Sequence, residues 1–389
     1  MGDSGMFAAQ APVTRLVVFV QENHTTDNYF RGMAPYGARV ASHWPLSPNP
    51  PTSDPPHGRE AYFHWWKTRH ATGVQFDTRR VLPYYLYLAT TGAFFENHCA
   101  QFGGPSTPNH LVLVGGQSPT LRNPPHSEHW DMPSIFGLAE EHGVAWRAYT
   151  GAGRYPVGFY TQLQRSPNVV LTQRLVADAA AGNLPALVYV WHAGSASEHP
   201  PANVTRGMEA VWQAVDAVVR GGGWEQTVFI LTYDDWGGYD DHSWTPATEY
   251  TPDNVQLAFG PRVPLIMFGA HVRPGIDHRW CSSASVPKTA LQLLGLPALG
   301  VRRVDRDAGL ADRVESVVTV PPPPALGERI PIPPAPSPPR RPHPPPPPPV
   351  SKAVPVARVV LRDGSTLPPP FDVKLPHQPA PPTPRPVGR

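Results

Sequence analysis

The sequence predicts an α/β fold with a mainly parallel central sheet covered by helices on both faces. Short apolar runs rich in β-branched and aromatic residues alternate with stretches of helical periodicity, the pattern of strands joined by crossover helices. Acidic and polar residues follow several of those runs, where the carboxyl ends of parallel strands gather functional groups. Composition then breaks near residue 320. About 320 of the 389 residues are of ordinary globular composition, enough for one large domain.

Each element has its own reason. Residues 15–20 contain Leu16-Val17-Val18-Phe19-Val20 and read as a core strand that feeds Glu22-Asn23. Residues 33–80 mix Pro, Gly, His and Trp without periodicity and read as a long surface excursion, a possible cap on the site. Its rings Tyr62, Phe63, Trp65 and Trp66 either line that cap or fix the excursion to the body, and the second reading is slightly favoured. In Gly103-Gly104-Pro105-Ser106-Thr107-Pro108-Asn109-His110, Pro108 suits the first turn of a helix, with Thr107 as N-cap and Ser106 just before it. Residues 133–142 open on Pro and close at Gly143, a short helix, and residues 144–149 and 186–191 read as strands. A helix over 204–220 places Val204, Met208, Val211, Val215 and Val218 on one face and stops at Gly221-Gly222-Gly223. The strand 227–233 feeds Asp234-Asp235; a strand over 263–268 and a helix over 286–296, stopped by Pro297, close the body.

From Pro321 the chain changes character. Half of its 54 prolines, 27, lie in 321–389, which also carries 9 Lys/Arg against 3 Asp/Glu. Such a segment cannot bury enough apolar surface to fold and reads as a disordered, polyproline-type tail that docks on a proline-recognising or acidic surface. Its one mainly apolar interruption, 356–361, is where it could dock. Residues 1–320 form the body. They hold 23 Lys/Arg against 27 Asp/Glu, so there is no basic field to recruit nucleic acid. Cys99 and Cys281 either pair or are both free, and two cysteines exclude a disulfide scaffold or a zinc ribbon. No apolar run approaches the roughly 20 residues of a membrane helix. No leader pattern opens the chain either, so the expectation is a cytoplasmic protein, or a secreted one if an N-terminal leader is missing.

The chemistry rests on residues far apart in sequence. Glu22, Asn23, Asp234 and Asp235 offer hard oxygen donors behind two strands, and Ser106 offers a hydroxyl at a helix start. Oxygen-rich sets of this kind bind a divalent metal ion, and a cation beside a serine suggests phosphoryl transfer. Dipole and free N–H groups at the helix start favour both an alkoxide and a phosphate. Asp27 is expected to make a structural hydrogen bond instead.

Glu22-Asn23-His24-Thr25-Thr26-Asp27-Asn28-Tyr29-Phe30 resembles the opening signature of the bacterial phosphoesterase family, which holds non-zinc phospholipases C and a type of acid phosphatase within the alkaline-phosphatase-like superfamily. Gly104 through Leu111 resembles its nucleophile segment, and Thr232-Tyr233-Asp234-Asp235 through Gly237-Gly238-Tyr239 to Asp241-His242 resembles its acidic block. Glu198-His199-Pro200-Pro201 and Asp54-Pro55-Pro56-His57 match two further segments. Five motifs in order cover residues 15–312. The resemblance implies an alkaline-phosphatase-like α/β sandwich. It also implies a metal-dependent serine mechanism, with Glu22, Asn23, Ser106, Asp234 and Asp235 on the metal and a phosphoserine intermediate. Catalytic roles fall on Ser106 as nucleophile and on His57 and His199, which would hydrogen-bond the phosphoryl oxygens or protonate the leaving oxygen. His129 and His242, like His126, are ligands or core histidines, with His129 and His242 as possible substrate-binding groups. His110 is expected to pack behind the nucleophile helix. Two departures stand out: Ser106 where phospholipase members usually carry Thr, and Asp235 where the family has Glu.

The expectation is therefore a phosphatase-type hydrolase acting on small-molecule or lipid phosphoesters. The nearest alternative is a phospholipase C on phosphocholine lipids, which would need an aromatic cage for choline. A third is a non-catalytic adaptor that carries the proline-rich tail.

Overall fold

The computed structural model describes residues 13–336, except Arg69, Trp244, Pro246 and 251–255, together with 354–355 and 357–368. Eight strands form the central sheet: β1 (Arg15–Gln21), β2 (Ala93–Phe95), β3 (Trp146–Thr150), β4 (Val169–Leu171), β5 (Leu187–Trp191), β6 (Thr227–Tyr233), β7 (Leu265–Gly269) and β8 (Gly275–Asp277). Their spatial order is β8-β2-β7-β6-β1-β5-β3-β4. β1 lies between β5 and β6 and is parallel to both, with Leu16 opposite Leu187 and Val228. Only β7 runs against its neighbours, so the sheet is mostly parallel. The carboxyl ends of β1, β5 and β6 therefore lie at one edge, and Glu22, Glu198 and Asp234 follow them.

Both faces are buried. Along β1, Leu16, Val18 and Val20 point into one core and Val17 and Phe19 into the other, the period-two alternation of a central strand. The first core receives helices α4 (Ser106–Gly115), α5 (Ile135–Glu141) and α7 (Ser285–Leu293). The second receives α1 (Thr26–Tyr29) through Tyr29, α3 (Pro83–Thr91) and α6 (Val204–Arg220). In α6, Val204, Met208, Val211, Val215 and Val218 are buried as the spacing requires. Each such side chain contributes about 1.5–3 kcal/mol of burial. α5 starts two residues later than the sequence suggests, because the Ser134 side chain accepts from Gly137 N and sets the cap. Among the described residues no helix is long and apolar enough to cross a membrane. Cys99 and Cys281 are both free and buried.

Two segments differ from expectation. The excursion 33–80 contains a helix, α2 (Arg59–Thr68). Its Tyr62, Trp65 and Trp66 pack with Trp236 into a buried aromatic cluster, so these rings anchor the excursion rather than face a substrate. The start of the tail lies on the body. Trp224 and Trp212 donate their indole N–H groups to the carbonyls of Val320 and Pro324, Tyr36 donates to Pro333 O, and Ile330 and Ile332 pack against the second core. Further on, Val359 is buried and Val360 exchanges two hydrogen bonds with Gln117. The proline-richest stretch, 337–353, and the end, 369–389, lie outside the described residues.

Candidate active site

Ser106 is the first residue of α4, not the residue before it. Pro105, in extended conformation, takes the N-cap position, and the Asn123 side chain accepts from Thr107 N at 2.9 Å. A residue from a distant loop thus supplies the cap expected of Thr107. The helix is buried along its whole length, and Ser106 is 5% exposed.

Around Ser106 the structure gathers the predicted oxygen donors. Ser106 Oγ donates to Asp235 Oδ2 at 2.9 Å and lies 3.2 Å from the Asn23 amide oxygen. Asn23 N donates to Asp234 Oδ1 at 3.1 Å. Asn23 adopts a left-handed backbone (φ 66°), which Asn tolerates better than most residues. Gly237 packs against it so closely that a Cβ there would stand 2.0 Å from Asn23 O. Together these turns bring the residues after β1 and β6 onto one spot.

The electrostatics suit a cation. Burial pushes the Asp235 carboxyl up to about 7. Asp234 is also raised, by burial first and then by the charges of Asp235 and Glu22. Burial acts on Glu22 in the same sense, but His110 and the other nearby histidines outweigh it and hold Glu22 below the ordinary range. The Asn23 amide oxygen sits 3.1 and 3.2 Å from the Asp234 carboxylate oxygens, an acceptor facing acceptors. Either the amide turns over, donating to Asp234 and accepting from His199 Nε2 at 2.9 Å, or a positive ion lies between these oxygens. The donor chemistry of Glu22, Asn23, Ser106, Asp234 and Asp235 therefore fits a hard divalent metal ion.

His110 belongs to this cluster as well. Its Nε2 is 3.3 Å from Glu22 Oε1 and 3.3 Å from Asp234 Oδ2, aligned for a hydrogen bond with neither. Trp191 Nε1 donates to its Nδ1 at 3.3 Å, which places the proton of the neutral ring on Nε2, between the two carboxylates. Burial lowers the His110 pKa, but Asp234 and Glu22 outweigh burial and raise it. The ring thus interacts electrostatically with both acidic groups and is not spare packing. Its spacing of four residues from Ser106 along a helix is the signal that could have found it.

His57 and His199 face the same spot from the other side, with rings 5.9 Å apart. The Nδ1 atoms donate to the carbonyls of Pro55 and Pro200, each at 2.8 Å, so the Nε2 atoms are left for the site. His57 Nε2 is 3.3 Å from the Asn23 amide nitrogen. Behind His199, the fully buried Glu198 takes hydrogen bonds from Tyr29 (2.7 Å), Tyr85 (2.6 Å), Tyr233 (2.6 Å) and Gln21 (2.7 Å). Burial drives its carboxyl up to about 7. Gln21 and Tyr233 immediately precede Glu22 and Asp234, so one carboxylate braces the residues behind both Glu22-Asn23 and Asp234-Asp235.

Two candidates lie elsewhere. His129 is exposed and bonds to Ser127 O. His242 bonds through Nδ1 to Asp27 Oδ2 at 2.6 Å, in a second cluster where buried Arg262 bridges Asp27 (3.0 Å) and Asp241 (2.9 Å). A guanidinium already neutralises those carboxylates, so that cluster is an internal ion pair joining distant loops.

A family model described as the phosphoesterase family matches residues 53–297. Non-specific phospholipase C5 of Arabidopsis thaliana is 26% identical over 219 residues, covering 50% of this chain and 42% of the relative. Phospholipase C B of Mycobacterium tuberculosis is 25% identical over 299 residues, covering 64% of this chain and 57% of the relative. The chain spans about half the length of the curated relatives it matches. Among solved structures, a protein in the alkaline phosphatase superfamily from Vibrio parahaemolyticus is similar at 14% identity and TM-score 0.43, over 79% of this chain and 72% of that one. Murine ectonucleotide pyrophosphatase/phosphodiesterase 5 is similar at 11% identity and TM-score 0.44, over 78% and 100%.

Proposed function

The chain belongs to the phosphoesterase family, and from that premise we propose that it hydrolyses phosphate esters with Ser106 as the attacking group. The observation that carries this reading is the Ser106 hydroxyl donating to Asp235 at 2.9 Å inside a buried set of carboxylates at a helix start. Asp235 Oδ2 accepts the hydroxyl proton as Ser106 Oγ forms its bond to phosphorus. The bond from phosphorus to the ester oxygen breaks, and that oxygen takes a proton from Nε2 of His57 or His199, the ring then being doubly protonated with Nδ1–H held on the Pro55 or Pro200 carbonyl. Water then attacks the phosphoserine and gives its proton to that histidine, the bond from phosphorus to Ser106 Oγ breaks, phosphate leaves, and Asp235 returns the proton to Ser106 Oγ. A divalent ion held by Glu22, Asn23, Ser106, Asp234 and Asp235 would neutralise charge on the phosphoryl oxygens and acidify the hydroxyl. His110 keeps Glu22 and Asp234 turned toward that position, and the Glu198 brace holds His199 opposite it.

A second reading, cleavage of a phosphodiester lipid, is favoured by the relatives, which are named phospholipases C. The choline cage that reading requires would not come from Tyr62, Trp65 and Trp66, which are buried against Trp236. Assaying phosphomonoesters, phosphodiesters and phosphatidylcholine, with and without a chelator, separates the two. Monoester turnover lost on chelation, together with a phosphate adduct on the Ser106 peptide after acid quench, supports the first reading. Full turnover in metal-free protein would exclude the metal role, and turnover of phosphatidylcholine alone would favour the second reading.

A further inference from the structure

The loop that follows β3 lines an open pocket of about 200 Å³ with His126, Gly153, Arg154, Tyr155, Phe159 and Gln164 among others. It opens beside the carboxyl end of a parallel strand, on the side of the sheet edge where ligands of such folds bind. Tyr155 joins it to the site. The Tyr155 hydroxyl is 3.1 Å from Thr107 Oγ1, next to Ser106, and its ring meets the His110 ring edge-on at 5.1 Å. Tyr155 thus lies between the pocket and the nucleophile helix.

The wall is preorganised. His126 stacks on Phe159 at 6.0 Å and 15°, and Tyr155 meets Phe159 at 6.0 Å and 81°. Arg154 has a left-handed backbone (φ 56°), a conformation that an arginine adopts only where its surroundings enforce it. Its Nη1 donates to the carbonyls of Gln164 (2.9 Å) and Ser166 (3.0 Å), which fixes a positive charge in the wall. At Gly153 an added Cβ would meet nothing within 4 Å, so the space continues over that residue.

The lining chemistry selects a ligand. Among the described residues the cavity presents neither an aliphatic side chain nor a carboxylate. An acyl chain would find no aliphatic wall. A quaternary ammonium wants ring faces without a competing cation, and Arg154 opposes it. Ring faces beside a planar guanidinium and a planar amide suit the C–H face and the hydroxyls of a saturated ring. We propose that this cavity is the subsite for the organic group of the phosphoester, and that it takes a ring-sized polyol, a sugar or a cyclitol. The proposal rests on the Ser106 reading above.

The test compares phosphate release from myo-inositol 1-phosphate, glucose 6-phosphate, phosphocholine, adenosine monophosphate and ethyl phosphate by the full chain. The two polyol esters should exceed the others in kcat/KM by about tenfold or more. Gly153→Leu, which fills the cavity, should depress the polyol esters at least about tenfold more than ethyl phosphate, mainly through KM. His126→Ala, at an exposed position, should shift KM in the same direction and serves if the leucine variant fails to fold. Calorimetric titration of myo-inositol 1-phosphate into Ser106→Ala protein, with and without Gly153→Leu, reads the subsite without turnover. Ester hydrolysis that shows no polyol preference, favours phosphocholine or the nucleotide, or ignores both variants overturns the subsite and leaves the Ser106 reading standing. Polyol phosphate binding that Gly153→Leu abolishes, with no ester hydrolysed by the wild type, overturns the Ser106 reading alone. Neither binding nor hydrolysis overturns both.

Discussion

Replacing Ser106 by Ala removes one hydroxyl and leaves its neighbours in place. Turnover of a soluble phosphoester should fall by about three orders of magnitude or more while the circular dichroism spectrum is retained. Retention of more than about a tenth of wild-type kcat would remove Ser106 from the nucleophile role. Asp234 and Asp27 should separate by readout. Asp234→Asn should weaken cation affinity measured by calorimetry, because it deletes a charge beside Glu22 and Asp235. Asp27→Asn should chiefly lower the unfolding midpoint, since it removes one of the two carboxylates that neutralise the buried Arg262 and leaves the charge to Asp241. The opposite pattern would reverse the two assignments. At this scale Glu22, Asn23, Ser106, Asp234 and Asp235 were legible because unusual polar residues directly followed apolar runs or opened a helix. His110 and the Asn123 cap were not. The first looked like one more residue of a buried helix, and the second acts from sixteen residues away, beyond the far end of the helix it caps, which no local pattern encodes.

Gly207 on α6 gives an element-scale test. Gly to Ala in a helix interior normally stabilises by about 1 kcal/mol. Here the new Cβ would stand 2.1 Å from Glu198 Cγ, so the substitution should displace the carboxylate that braces His199. Gly207→Ala should therefore lower both the thermal midpoint and kcat, and a stabilised, fully active variant would show that the brace yields freely. The same scale shows how far periodicity carries. β1, β5 and β6 were readable as short unbroken apolar runs, and α6 because its apolar residues recur at helical spacing. β2, β4 and β8 have three residues each, too few to express a period, and α3 is apolar on nearly every side, so no stripe marks it. Tyr62, Trp65 and Trp66 do lie at helical spacing in α2, but the surrounding Pro and Gly hid a helix of ten residues.

For the whole molecule, pH and the cation should act together. Asp235 and Glu198 titrate near 7 in the fold against ordinary values of 3.8 and 4.5, and Asp234 is also raised. The folded chain therefore keeps protons that the unfolded chain releases, and the stability these groups contribute is full below about pH 4 and lost as pH rises through about 7. Glu22 and Asp27 shift the other way and act only in acid, below their ordinary values. Chelator-treated protein should thus melt at a lower temperature at pH 8 than at pH 5, and a divalent cation added at pH 8 should restore the difference. A midpoint that rises with pH would refute the account. A chain ending at Val320 should keep kcat on a small soluble ester but lose several degrees of midpoint, because the contacts of Pro324, Ile330, Ile332 and Pro333 go with the tail. An unchanged midpoint would mean that those contacts contribute nothing. Composition reads everything from Pro321 on as one tail, because it is blind to the indole and phenol donors that wait on the body. The position of β1 has a further consequence for biosynthesis. This strand is made before both of its neighbours, β5 and β6, whose partners for Leu16 arrive about 170 and about 210 residues later. At roughly 5–20 residues per second, its apolar side chains emerge from the ribosome roughly ten to forty seconds before their neighbours exist. Yield in the cell should therefore depend on a holding chaperone that covers β1 during translation.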